Sequence, residues 1–223
     1  MTFSIIARCP DSGEFGAAVA SSSPAVAARC IHGLSGVGAA ASQNITDPGL
    51  GPAALALMQL GQTPEQALHT LQTRRFIEYR QLMAIDSRHP PAVFTGANAL
   101  GSLSSAVGTH AACAGNMLAS QDVPHAMLRA FEGTSGSLAE RLMAALLAGQ
   151  AAGGEEGPVH SAGLRVYAGK QWPVVDLRMD WVEHDPVHAL YEAWKVYAPQ
   201  VQAYITRAED PRAAPSFGVP GNL

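Results

Sequence analysis

Two stretches of this chain, residues 14–21 (EFGAAVAS) and 36–44 (GVGAAASQN), have the length and texture of strands but are built mostly from Gly, Ala and small polar residues. Strands with side chains this short let another layer pack very close to them. Around them the elements run in groups. Residues 2–8 (TFSIIAR) alternate, with Thr2, Ser4, Ile6 and Arg8 on one face and Phe3, Ile5 and Ala7 on the other, as a strand does. Cys9-Pro-Asp-Ser-Gly13 makes a turn into the strand at 14–21, and 36–44 is a third strand. Helices are expected at 52–60 and 64–73. The second opens on Thr63-Pro-Glu-Gln66, a capping box with proline at the first helical position. Strands are expected at 78–86, 91–95 and 106–113. A second helix pair covers 124–133 and 138–150, with another capping box at Ser137-Leu-Ala-Glu140. Strands at 160–168 and 172–179 follow. A last helix after Asp185-Pro186 has apolar positions at helical spacing up to 201, with Pro199 ending or kinking it.

Single strands do not alternate with single helices, so a doubly wound parallel sheet is excluded. Hairpins and helix pairs in separate runs suit an α+β fold of antiparallel sheets. The small side chains suggest two sheets stacked face to face with helices outside, a four-layer αββα sandwich. One domain is expected over 1–206, followed by a Pro/Gly-rich tail at 207–223 that is mobile or wraps a neighbouring subunit.

Electrostatics and cysteine usage narrow the function. Lys plus Arg is 14 and Asp plus Glu 18, a net charge of −4, with no basic stripe for a nucleic-acid backbone. The three cysteines (9, 30 and 113) are scattered and form no CxxC, which excludes a zinc ribbon and a disulfide framework. No apolar run reaches the ~18 residues of a membrane span, and no signal peptide is expected at the N-terminus. The expected location is cytoplasmic.

Position 2 carries the sharpest chemistry. If Met1 is removed, Thr2 presents a hydroxyl and a free α-amine of ordinary pKa ~7.7–8 on one residue, a known way to activate a weak nucleophile. The bland alternative is an ordinary Thr after the initiator Met. Asn116, after Gly115, offers an amide to a developing oxyanion, or else caps a turn. Gln43 and Asn44 end the third strand, where they line a pocket or simply close the strand. Ser21, Ser22 and Ser23 end the second strand beside the first, where one of them orients the Thr2 amine or all are turn residues. His110 and His160 fall in expected strands, as acid–base groups or hydrogen-bonded core histidines. His184 and His188 have i,i+4 spacing, but Asp185-Pro186 starts the helix between them, so a solvated helix end is favoured over a metal pair. No cofactor and no metal are expected.

A nucleophile heading the first strand of an antiparallel αββα sandwich is the plan of N-terminal-nucleophile (Ntn) hydrolases. The chain resembles the family catalogued as domain of unknown function 1028 over residues 2–200. The matching segments are the opening Met-Thr-Phe-Ser-Ile, Gly36-Val-Gly-Ala, Ser42-Gln43, Pro48, Gly51-Pro52, Gly115-Asn-Met-Leu118, Ala139-Glu-Arg-Leu142, Ala148-Gly-Gln-Ala-Ala-Gly-Gly154, Asp176-Leu-Arg178 and Asp185-Pro186. The resemblance implies the Ntn-hydrolase-like fold and hydrolysis of an amide-like bond. It also marks two departures. Many members read Gln-Ser-Arg where this chain has Ala20-Ser21-Ser22-Ser23, and Asp-x-Arg-Gly-x-Gln-Ser-Ala where it has Gly154 to Ala162 with His160 in the Gln position. Two missing arginines imply a less anionic ligand or a lost activity. Two functions are therefore expected to compete. One is a Thr2 hydrolase of a small amide, imide or ureide. The other is a non-catalytic small-ligand-binding or assembly protein, and both are compatible with a homo-oligomer.

Overall fold

The computed structural model describes residues 1–216. Strands β1 (Thr2–Arg8), β2 (Phe15–Ser21), β9 (Ser161–Tyr167), β10 (Val175–Met179), β7 (Ser104–Val107) and β8 (Ala111–Asn116) form a six-stranded sheet in the order β10-β9-β2-β1-β8-β7. Strands β3 (Ile31–Leu34), β4 (Gly38–Asn44), β5 (Arg80–Asp86) and β6 (Ala92–Thr95) form a second sheet in that order. All these pairings are antiparallel. The helices are α1 (Val26–Cys30), α2 (Leu50–Gln59), α3 (Pro64–Leu71), α4 (Val123–Gly133), α5 (Leu138–Ala151), α6 (Pro186–Tyr197) and α7 (Val201–Glu209).

The alternation along β1 sorts its side chains between two cores. Phe3, Ile5 and Ala7 are fully buried among Met127 and Phe131 of α4 and Leu142 and Leu146 of α5. Ile6 belongs to another cluster, in which Ala17 and Val19 of the first sheet meet Ala39, Ala41, Met83 and Ile85 of the second. A third cluster joins Ala40, Leu82 and Ala84 to Leu55 and Met58 of α2 and Leu68 and Leu71 of α3. Burying a side chain the size of Phe3 contributes roughly 2–3 kcal/mol. The same strand is therefore anchored by every second residue, and its remaining residues are held in the space shared by the two sheets. Small residues set the approach: a Cβ at Gly163 of β9 would lie 2.3 Å from Ala27 Cβ of α1.

Both capping boxes form. Thr63 Oγ1 accepts from the Gln66 amide at 3.2 Å and Gln66 Oε1 accepts from the Thr63 amide at 3.0 Å. Ser137 and Glu140 exchange the same pair at the start of α5. Pro199 lies in a 3₁₀ turn, Ala198–Gln200, that separates α6 from α7. Helix α7 reaches Glu209, three residues into the segment expected to be a tail; residues 217–223 of that segment lie outside the described residues. Two local expectations are corrected. The strand expected at 106–113 is a hairpin, β7 and β8, whose turn holds Gly108, Thr109 and His110, so His110 is not a strand residue. Helix α1 and strand β3 occupy 26–34, where no element was expected. Helix α1 has five residues and starts from Ala25 in the left-handed region at φ 51°, with no side-chain cap. Nothing local announces it; its burial of Val26, Ala27 and Cys30 between the sheets holds it.

Candidate functional site

The residues between the two sheets change from apolar to polar at one end of β1 and its neighbours. Thr2 of β1 is in register with Asn116 of β8, and Ser21 of β2 with Ser161 of β9. Directly opposed residues of an antiparallel pair point to the same face, their Cα atoms ~4.5–5.5 Å apart. Thr2 is 4% exposed, and Ser21 and Asn116 are fully buried. The Thr2 hydroxyl lies 3.3 Å from Ser21 Oγ and also against the Met1 carbonyl oxygen, which accepts from Ser21 Oγ as well. Ser21 Oγ accepts from the Ser23 amide at 3.1 Å, which fixes its rotamer.

Behind these hydroxyls runs a chain of amides. Ser4 Oγ donates to Gln43 Oε1 at 2.6 Å. Gln43 Nε2 donates to Gln81 Oε1 at 2.7 Å and to the Ala114 carbonyl at 3.2 Å. Gln81 Nε2 donates to Thr95 Oγ1 and to the Gly115 carbonyl, both at 3.2 Å. A backbone carbonyl only accepts, so Ala114 and Gly115 fix which end of each glutamine carries nitrogen. Gln81 Oε1 must then face Asn116 Nδ2, at 3.3 Å. Asn116 is left with a second N–H on Nδ2 and with Oδ1, a buried acceptor that has no partner.

The other wall comes from the loop after α5. Gly153 and Gly154 take positive φ (117° and 59°) and turn the chain so that Glu155 pairs across an isolated bridge with Leu118. Glu155 is 4% exposed, and neither carboxylate oxygen has a donor in hydrogen-bonding geometry. Burial raises its pKa to about 7, opposed by the Met1 ammonium and by the nearby side chain and backbone N–H of Ser22. The Met1 amine is correspondingly pushed down by burial, which Glu155 and Cys30 counteract. The Cys30 thiol is itself held up by burial, against a contact from Thr46. The Met1 side chain lies over Gly157, where a Cβ would come 3.1 Å from Met1 Cε.

The structure therefore gathers Thr2, Ser21, Ser22, Asn116 and Gln43 around one end of the inter-sheet space. Gln43 is engaged on both ends of its amide and supports the site rather than facing an open space. Asn44, at φ 76°, instead donates to the Tyr79 carbonyl at 3.0 Å. The His160 ring stacks on Trp181 at 4.3 Å, with Nδ1 against the Val182 carbonyl at 3.1 Å, while its backbone N–H ties it to Ser21 O. His184 precedes α6, and His188 pairs with Glu192 at 3.4 Å. Among the described residues no group of three or more His, Cys, Asp or Glu is arranged to hold a metal ion. Sequence reasoning gave no role to Ser4, Gln81 or Glu155. Period-2 alternation marks Gln81 as sharing a face with Met83 and Ile85, a polar residue in an apolar stripe. Nothing local marks Glu155.

The chain is a member of the family of unknown function DUF1028, whose model matches residues 2–190. It is similar to the crystal structure of a Silicibacter pomeroyi protein of that family, at 31% identity and a TM-score of 0.82, covering 88% of this chain and 89% of that one. A second solved structure, Anbu (ancestral beta-subunit) from Yersinia bercovieri, matches at 13% identity and a TM-score of 0.40, over 91% of this chain and 97% of that one. No curated protein matches the chain. No helix among the described residues is long and apolar enough to cross a membrane.

Proposed function

We propose that this protein is an N-terminal-nucleophile hydrolase on an αββα sandwich, cleaving a small amide-like C–N bond with Thr2 once Met1 has been removed. The observation that carries the reading is the placement of the Thr2 hydroxyl at the buried polar end of the inter-sheet space, in register with Asn116 and beside Ser21. In this mechanism the freed Thr2 amine takes the hydroxyl proton, Oγ1 bonds to the substrate carbonyl carbon, and the amine returns the proton to the leaving nitrogen. Ser21 Oγ and the second N–H of Asn116 serve the developing oxyanion, the former already directed at a carbonyl oxygen in this position. Water then hydrolyses the acyl ester on Thr2. Gln43 and Gln81 keep Asn116 in its orientation.

Intact-protein mass spectrometry, followed by a panel of small amides, tests this. Loss of one Met and turnover that vanishes in Thr2→Ala are the expected results. A retained Met1, or full turnover by Thr2→Ala, overturns it. A second reading, a non-catalytic ligand-binding or assembly protein, is favoured by one observation: with Met1 in place its carbonyl occupies both hydroxyls and Thr2 has no free amine. Both readings assign it a small-molecule substrate or ligand and other copies of its own chain as partners, no nucleic acid and no membrane, and a cytoplasmic location.

A further inference from the structure

The polar end of the inter-sheet space contains one charge-bearing group that the hydrolytic mechanism leaves idle. Glu155 is 4% exposed, and its oxygens have only the side chain and backbone N–H of Ser22 as donors, neither in good hydrogen-bonding geometry. A buried carboxylate so weakly paired is costly, and such a group suits a place where something else pairs with it. Met1 indicates what that partner looks like. Its carbonyl oxygen rests on the Thr2 and Ser21 hydroxyls, its side chain lies over Gly157, and its α-amine lies within electrostatic reach of Glu155 without forming an ion pair with it. Removal of Met1 therefore vacates a space with hydroxyls at its carbonyl end, a buried carboxylate within electrostatic reach of its amine end, and a glycine-floored slot for a side chain.

We propose that this space takes an α-aminoacyl compound, a small amide bearing an ammonium group next to the scissile carbonyl, with Glu155 as the acceptor of that ammonium. The proposal deepens the Thr2 hydrolase reading and rests on it, since the space opens only when Met1 leaves. The reaction is plain hydrolysis: the C–N bond breaks, water supplies hydroxyl to the acyl carbon and hydrogen to the leaving amine, and nothing is oxidised or reduced. The ammonium is a recognition element and exchanges no bond. Cys30 is buried, with its thiol pKa raised by that burial, so Glu155 is the group that sets the charge preference.

The test is calorimetric titration of the Thr2→Ala protein as purified with L-methioninamide and with its α-hydroxy analogue, a neutral compound of nearly the same shape. The ammonium compound should bind at least about tenfold more tightly, and Glu155→Gln in the same background should erase the preference. Glu155→Asp, which retracts the carboxylate, should reduce it and serves if the glutamine variant does not fold. Equal affinity for the two ligands, a preference that survives Glu155→Gln, or no binding because Met1 remains, each overturns the proposal. Turnover by the parent protein is read separately. Preferential binding with no cleavage of either amide would sustain the ligand class and sink the hydrolase reading. Cleavage of both amides at equal KM would do the reverse. A Glu155→Gln variant that lowers kcat equally for both ligands would place Glu155 on the Thr2 amine instead, and would also overturn it.

Discussion

Strand β1 presents a polar residue to the inter-sheet space at each end, and the two ends are treated differently. At the far end Arg8 is a saturated hub. It donates to the carbonyls of Asp86 at 2.7 Å, His89 at 3.0 Å and Thr109 at 3.1 Å, and to His110 Nδ1 at 3.2 Å. Asp86, which burial alone would push up, is held below the usual carboxylate range by hydrogen bonds from His89 and Arg88. At the near end Thr2 lies among Asn116 and Glu155, which retain three buried acceptor atoms without partners. Polar groups in a core are nearly always satisfied, so the saturated end reads as a clamp on the fold and the unsatisfied end as a place prepared for something else.

The contrast can be broken by substitution. The largest effect expected is on activity: Thr2→Ala should lower kcat by about a thousandfold or more while the urea midpoint barely moves. Next is Arg8→Met at the opposite end, which leaves three carbonyls without their donor. It should cost about 3 kcal/mol in urea unfolding and leave KM unchanged in whatever folds. Gln81→Leu should cost about 2 kcal/mol, since Gly115 O and Gln43 Nε2 lose partners, and should also lower kcat by freeing Asn116 to rotate.

The pH dependence follows from Glu155. Its folded pKa, about 7, exceeds the ordinary 4.5. The folded state therefore holds a proton that the unfolded state has released between those two values, and stability falls as pH rises through that window. Glu155→Gln should flatten this slope. It should match the parent below pH ~4.5 and exceed it at pH 8 by on the order of 1–2 kcal/mol, measured as the difference in unfolding free energy. The smallest effect belongs to neither end: removing the exposed Arg129–Asp122 pair by Asp122→Ala should change stability by no more than about 0.5 kcal/mol.

Part of the site was legible in the sequence, and of the clamp only the strand face that carries Arg8. Alternation from Thr2 to Arg8 assigned both polar residues to one face, and the capping boxes located α3 and α5. Thr2, Ser21 and Gln43 were marked by their positions at strand ends and Asn116 by following Gly115 beyond an expected strand, and the ends of neighbouring strands converge at one edge of a sheet. What escaped was fixed by distant parts of the chain. Gly108-Thr-His110 looks like strand because its neighbours are small and apolar, and only the pairing of β7 with β8 reveals a turn. Helix α1 depends on burial between sheets. Glu155 sits in a glycine-rich loop whose composition predicts solvent, and only its approach to Met1 and Ser22 makes it a buried acid.

The position of β1 within its sheet has a practical consequence. It has β2 on one side and β8 on the other, so its first residue emerges from the middle of the sheet and not from an edge. An affinity handle fused ahead of Met1 would leave through the space assigned to a substrate in the proposed mechanism, and would keep acylated the amine that mechanism requires. If the proposed Thr2 chemistry holds, such a fusion would be silent in an activity assay. A handle at the carboxyl end, beyond α7, leaves Thr2 free to report.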